Sequence, residues 1–179
     1  MREIEVKIIN SDMKAFRRKI LDLGAKKAFS GKVLSITLDY KDERIKRKYS
    51  LLRLRSYDDN RCELTFKGPK EKSQYKIRRE INLELQNFND TLTLLKSIGL
   101  NVINKIYKFR ESYVLELKNG KKLLKYHIDI DDYKIIPRFA EIEAKNIKDL
   151  VYLIRLLNVP KEKLYNGSTE DILKLYDVK

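Results

Sequence analysis

The 179-residue sequence predicts an α+β protein in which eight antiparallel strands close into a barrel with helices packed on its outside. Three observations lead there. Most of the chain alternates polar and apolar residues with period two, the spacing that sends successive side chains to opposite faces of a strand. The helical period is confined to a few stretches. The pentapeptide EIEVK at Glu3 to Lys7 returns as EIEAK at Glu141 to Lys145, each time ahead of a helical stretch, so a strand-helix unit is written twice.

Each strand is predicted to have one charged and one oily face. In the first, Glu3, Glu5 and Lys7 oppose Ile4, Val6 and Ile8. In VLSITLDY, Ser35, Thr37 and Asp39 oppose Leu34, Ile36, Leu38 and Tyr40. Arg53 and Arg55 oppose Leu52 and Leu54; Glu63, Thr65 and Lys67 oppose Leu64 and Phe66. In YKIRREINLEL the polar face carries Lys76, Arg78, Glu80, Asn82 and Glu84, and Arg79 interrupts the apolar one. Lys108, Arg110, Ser112 and Glu116 follow, then His127, Asp129 and Asp131 beyond the NGKK turn, and finally Glu141 and Glu143.

The helical stretches carry start and stop signals. SDMKAFRRKILDLGA has Ser11 or Asp12 as N-cap, a stripe of Met13, Phe16, Ile20 and Leu23, and Gly24 as its stop. NDTLTLLKSIG repeats the design with Leu92, Leu95 and Ile98 before Gly99. NIKDLVYLIRLLN starts at an Asn146 cap and presents Ile147, Leu150, Val151, Ile154 and Leu157, and a short last helix begins at Ser168 or Thr169. The charged run KDERIKRKYS reads as a solvated loop.

An open sheet with one wet face would also show this alternation. Here, however, like charges stand at every second position on strand after strand, and neighbours such as Arg53 and Arg55, or Glu3 and Glu5, repel without partners. Closing the sheet with its charged faces inward and its oily faces under helices gathers an acidic group and a larger basic group in one lumen. Desolvated charges in such numbers demand counter-charges of both signs. A polyphosphate with divalent cations supplies both.

Composition narrows the chemistry. One domain spanning 1–179 is expected from the length and the 42% hydrophobic content. With no long apolar run and no leader-like start, the protein is expected to be cytoplasmic with no membrane partner. Cys62 and His127 are the sole residues of their kinds, which excludes zinc sites built from Cys and His. Any metal therefore sits on carboxylates, which suit hard cations. The net charge of +14 implies attraction to polyanions. Nucleic acid is nevertheless not the expected partner, because the aromatic residues fall mainly on apolar strand faces instead of forming a stacking platform.

In order along the chain stand E-x-E-x-K at Glu3 to Lys7, LRLR at Leu52 to Arg55, LTFKGP at Leu64 to Pro69, R-x-E at Arg78 to Glu80, K-x-R at Lys108 to Arg110, and an Asp-rich strand leading into F-x-EIE at Phe139 to Glu143. Each is ordinary alone; the six together resemble the CYTH family, or triphosphate tunnel metalloenzymes, which includes class IV adenylyl cyclases, thiamine triphosphatases and inorganic triphosphatases. The resemblance runs over nearly the whole chain. It implies an eight-stranded tunnel that binds a triphosphate with Mg²⁺ or Mn²⁺. By position, Glu3, Glu5, Asp131, Glu141 and Glu143 match the family's metal ligands, with Asp129 a near competitor of Asp131. Lys7, Arg53, Arg55, Lys67, Arg78, Lys108 and Arg110 match its phosphate-binding cations. Glu5, Glu143, Arg55 and Lys67 are the residues expected to carry the chemistry.

The sequence departs from the family pattern in three places. Asn82 stands where a further glutamate is expected, Pro137 where a glycine is, and Ser168-Thr169 where cyclase-like members tend to carry Ser-Tyr. The resemblance therefore implies first a metal-dependent triphosphatase that cleaves the terminal anhydride of inorganic triphosphate, with nucleoside triphosphates as further substrates. Second comes an adenylyl cyclase forming cyclic AMP and pyrophosphate, for which the sequence shows no aromatic cluster or Asn/Gln constellation committed to a purine, Tyr40, Tyr133 and Tyr165 being the residues that could contribute. A non-catalytic module for polyphosphate or RNA is the third reading. The resemblance also admits a homodimer, as in some relatives.

Overall fold

A computed structural model describes residues 2–176. The strands are β1 (Arg2–Ile8), β2 (Lys26–Asp39), β3 (Leu51–Tyr57), β4 (Cys62–Lys70), β5 (Lys76–Leu85), β6 (Asn101–Asn119), β7 (Lys122–Asp132), β8 (Phe139–Ala144) and the two-residue β9 (Leu164–Tyr165). They are hydrogen-bonded in the order β5-β4-β3-β2-β6-β7-β8-β1-β9, and β5 pairs in addition with β1. That pairing closes the first eight strands into an antiparallel barrel with helices packed outside.

The helices are α1 (Met13–Asp22), α2 (Arg44–Arg47), α3 (Phe88–Ser97), α4 (Ile147–Leu156) and α5 (Thr169–Leu175). Asp12 caps α1 by accepting from the amides of Lys14 and Ala15, at 2.8 and 3.2 Å. Gly24 ends it at φ 92°, a conformation that favours glycine. Asn146 caps α4, and Ser168 caps α5 in a reciprocal box with Asp171. α3 starts one turn before its apolar stripe, on an Asn87 cap. The expected loop at KDERIKRKYS instead contains α2. Its turn is fixed by the buried carboxylate of Asp39, which accepts from the amides of Tyr40, Ile45 and Lys46 at 2.7 to 3.0 Å.

By compactness the residues fall into two units. One comprises Gly31–Glu71 and Arg78–Lys108 with Arg2; the other comprises Glu3–Ser30, Lys72–Ile77 and the chain from Phe109 on. The first has a small core of Ile36, Leu38, Leu54, Leu95 and Leu100, where α3 packs over β3. Its outward face is incompletely covered: Ile81, Leu83 and Tyr107, expected beneath helices, are 41%, 54% and 62% exposed. Ile98 of the α3 stripe is also exposed, at 58%.

The second unit holds the main core, built from Ile4, Val6 and Ile8 of β1, the α1 stripe, Tyr126, Ile128 and Ile130 of β7, Ile142 of β8, and Leu150, Leu153 and Ile154 of α4. Burying such side chains stabilises by about 1.5–3 kcal/mol each. From Glu3 to Lys7 β1 is buried on both faces, because its charged side is enclosed as well as its oily one.

Candidate active site

The charged faces carry two clusters, one in each unit. In the second unit the β1–β8 register sets Glu5 opposite Glu143 and Lys7 opposite Glu141. The β7–β8 register sets Asp129 opposite Glu141, and β6–β7 sets Arg110 opposite Asp131. Two of these four cross-strand pairs are like-charged and cost stability without cations nearby.

Three cations supply the balance. Lys7 Nζ donates to Glu5 Oε1 at 2.9 Å and to Glu141 Oε1 at 2.8 Å. Lys76 Nζ donates to the same Glu5 oxygen. Arg110 grips Asp131 bidentately, Nε and Nη2 at 2.6 Å, while Nη2 also reaches Glu141 at 3.1 Å and Nη1 pairs with Asp129. Burial alone would lower the pKa of Lys7; the attraction of Glu141 and Glu5 outweighs it and holds the ammonium charged well above its usual range. Arg110 is raised likewise, with burial opposed chiefly by Asp129 and Asp131.

In the first unit the balance is reversed. Arg55 Nη1 donates to Glu63 Oε1 at 2.9 Å and its Nε to Ser35 Oγ at 3.2 Å; Arg53 lies 3.8 Å from the same Glu63 oxygen. Lys67 pairs with Glu80 at 2.6 Å. Arg78 donates to the carbonyls of Gly68 and Lys67, at 2.8 and 3.3 Å, where the β4–β5 register shifts and leaves ladder groups to be satisfied. Lys108 is buried. Asn82, in the place of an expected glutamate, donates to Glu80 Oε1 at 2.8 Å, so it serves an existing carboxylate and adds no charge.

The second unit thus joins Glu5, Asp129, Asp131 and Glu141 through Lys7, Lys76 and Arg110 and sets Glu143 opposite Glu5; Glu3 is buried two residues before Glu5 on β1. The first unit gathers Arg53, Arg55, Lys67, Arg78 and Lys108. Arg110 pairs with both Asp129 and Asp131. Lys76 belongs to the acidic cluster without having been assigned to it; its place on the Arg78–Glu80 face is the one signal the sequence offers. His127 is exposed at the outer end of the Asp129–Asp131 face, opposite Glu143. Tyr133 is buried and stacked on Phe139, ring centroids 5.7 Å apart. Tyr40 lies under the Arg44 guanidinium at 4.3 Å.

Among the described residues no group of three or more His, Cys, Asp or Glu side chains is arranged to hold a metal ion. The ion pairs explain why: the oxygens of Glu5, Asp129, Asp131 and Glu141 face Lys7, Lys76 and Arg110. The donor chemistry nevertheless fits a hard cation, because Glu5, Asp129, Asp131 and Glu141, and Glu143 opposite Glu5, offer oxygen alone.

The fold is a closed antiparallel barrel whose charged faces carry a carboxylate-rich and an arginine- and lysine-rich cluster. Residues 1–150 match the family model of the CYTH domain, and the chain belongs to that family, which is generally linked to the hydrolysis or cyclisation of triphosphates. A Methanocaldococcus jannaschii protein named provisionally as an adenylate cyclase is 24% identical over 177 residues, 94% of this chain and 96% of that one. Among solved structures, one from Vibrio parahaemolyticus, also described provisionally as an adenylate cyclase, superposes with TM-score 0.81 at 18% identity, covering 96% and 97% of the two chains. HpAC1 of Hippeastrum, assigned provisionally to the adenylyl cyclases and described as having a dominant triphosphatase activity, superposes with TM-score 0.68 at 15% identity over 97% and 95%. These likenesses are to the fold.

Proposed function

We propose that the protein is a metal-dependent triphosphatase that cleaves the terminal anhydride of inorganic triphosphate and accepts nucleoside triphosphates as further substrates. The observation that carries this reading is the opposed imbalance of the two clusters. In one, the carboxylates of Glu5, Asp129, Asp131 and Glu141 converge on Lys7, Lys76 and Arg110; in the other, Arg53 and Arg55 converge on Glu63 and Lys67 pairs with Glu80. The first calls for added cations and the second for an added polyanion, and a triphosphate with divalent ions supplies both.

Glu3, Glu5, Asp131, Glu141 and Glu143 are the residues that would hold Mg²⁺ or Mn²⁺. When bound, the ion supplies charge neutralisation at the phosphate oxygens and a water of lowered pKa. The chain's own part is positioning and electrostatics, which phosphoryl transfer needs more than covalent help. Arg53 and Arg55 are suited to bidentate contacts with phosphate oxygens, and Lys67, Lys108 and Arg78 to stabilising the charge that moves onto the leaving group. Glu63 and Glu80 keep these cations oriented before substrate arrives. Lys7 and Arg110, each bridging carboxylates, fix the acidic side chains and stay charged throughout the neutral range.

The cyclase reading keeps one support, the provisional names of the relatives. Against it, Tyr133 is packed on Phe139, and Ser168 is engaged in capping, its hydroxyl donating to Asp171 at 2.7 Å. The test is to incubate the protein with triphosphate and with ATP, with and without Mg²⁺ or Mn²⁺, and to resolve phosphate, pyrophosphate and cyclic AMP. Metal-dependent release of phosphate and pyrophosphate from triphosphate is expected. Cyclic AMP as the main product from ATP would favour the cyclase. Binding of triphosphate with no turnover and no metal requirement would favour the non-catalytic module.

A further inference from the structure

Glu5 is approached by two ammonium groups on a single oxygen, and only one of them comes from its own strand. Lys7 bridges Glu5 and Glu141. The second, Lys76, reaches Glu5 from the first residue of β5 and is itself buried, 9% exposed against 5% for Glu5. Resting on the metal-dependent reading above, we propose that Lys76 is a built-in counter-cation that occupies Glu5 while no divalent ion is bound and sets how tightly that ion binds.

A buried carboxylate needs a cation at contact distance. Lys7 already gives Glu5 one, so the acidic face would hold together at this point without a second. What Lys76 adds is a second positive charge at a carboxylate that would hold an ion. A divalent ion arriving at Glu5 meets that charge in a medium of low dielectric, where repulsion is much stronger than in water. Binding would therefore require the Lys76 ammonium to leave Glu5. Lysine suits such an exchange, since its compact charge rides on a flexible four-carbon stem that can withdraw the ammonium without moving the backbone. Arg110, held bidentately by Asp131, has no comparable freedom.

Lys76→Met and Lys76→Gln remove the charge while keeping an unbranched side chain; Lys76→Arg keeps the charge. The measurement is Mn²⁺ binding to the full chain without substrate, by calorimetry or by the loss of the free Mn²⁺ electron-spin signal, after circular dichroism has established folding. The neutral variants are expected to bind Mn²⁺ about tenfold or more tightly than the wild type, and the arginine variant within about threefold of it. Unchanged or weaker binding by the neutral variants, beside a wild type that binds, overturns this inference and leaves the triphosphatase reading standing. If neither wild type nor neutral variants bind Mn²⁺, both fall. If neither neutral variant folds, Lys76 is a structural residue and the inference is overturned.

Discussion

Replacing Arg110 by methionine tests whether the acidic cluster is held by internal cations. Asp131 is fully buried and receives two 2.6 Å bonds from that guanidinium, which also engages Asp129 and Glu141. Methionine fills most of the space but leaves Asp131 charged in a place water does not reach. Removing one partner of a buried pair typically costs about 3–5 kcal/mol. For a chain of this length that corresponds to a fall in Tm of about 10 °C.

The loss should depend on pH with a definite sign. Without Arg110, burial and the facing carboxylates raise the pKa of Asp131, so the variant's deficit is largest near neutrality and shrinks as falling pH protonates the acid. The assay is urea unfolding followed by far-UV circular dichroism at several pH values, for Arg110→Met, Asp131→Asn and the double variant. A coupling energy of about 2 kcal/mol or more is expected. A loss below about 1 kcal/mol with no coupling, the range of an exposed pair, would refute the reasoning.

Glu143→Gln is expected to reduce metal-dependent triphosphate hydrolysis by about 100-fold or more, some 2.7 kcal/mol of transition-state stabilisation, with the unfolding midpoint little changed. Full activity in that variant would remove Glu143 from the metal set. Asn146→Ala deletes the cap that accepts from the Asp149 amide at 2.9 Å and donates to its carboxylate at 2.8 Å; about 1–2 kcal/mol should be lost, read from the urea midpoint. Burial raises the Tyr126 hydroxyl to about 12, and Tyr133 and Lys7 are raised as well. A group whose pKa is raised on folding stabilises fully below its unfolded value and loses that contribution as pH climbs through the folded one. These groups should therefore leave stability level between about pH 7 and 9 and make it fall from about pH 10 upward, as urea midpoints across that range would show.

The strands and their polar faces were legible because alternation is local: Glu3, Glu5 and Lys7 share a face whatever they pair with. Caps at Asp12, Asn146 and Ser168 were legible for the same reason. What period two leaves open is register. Nothing in the sequence says that Lys76 meets Glu5, 71 residues away, or that Arg110 spans Asp129, Asp131 and Glu141. α2 escaped detection because four mainly basic residues present no apolar stripe; its turn depends on Asp39, which alternation placed simply on a polar strand face. The coverage of the outward face was overestimated at Ile81, Leu83 and Tyr107, since apolar character marks a face without saying whether a helix lies over it.

The proposed function requires a divalent ion on the carboxylate cluster and triphosphate oxygens on the arginine-lysine cluster. Its most direct test is a crystal soaked with Mn²⁺ and a non-hydrolysable imidotriphosphate, with the metal located by anomalous scattering. The account predicts Mn²⁺ on carboxylate oxygens of Glu5, Glu141 or Glu143 and phosphate oxygens on Arg53, Arg55 and Lys67. Ligand bound only at the exposed basic turn α2, with those carboxylates still paired to Lys7, Lys76 and Arg110, would contradict it.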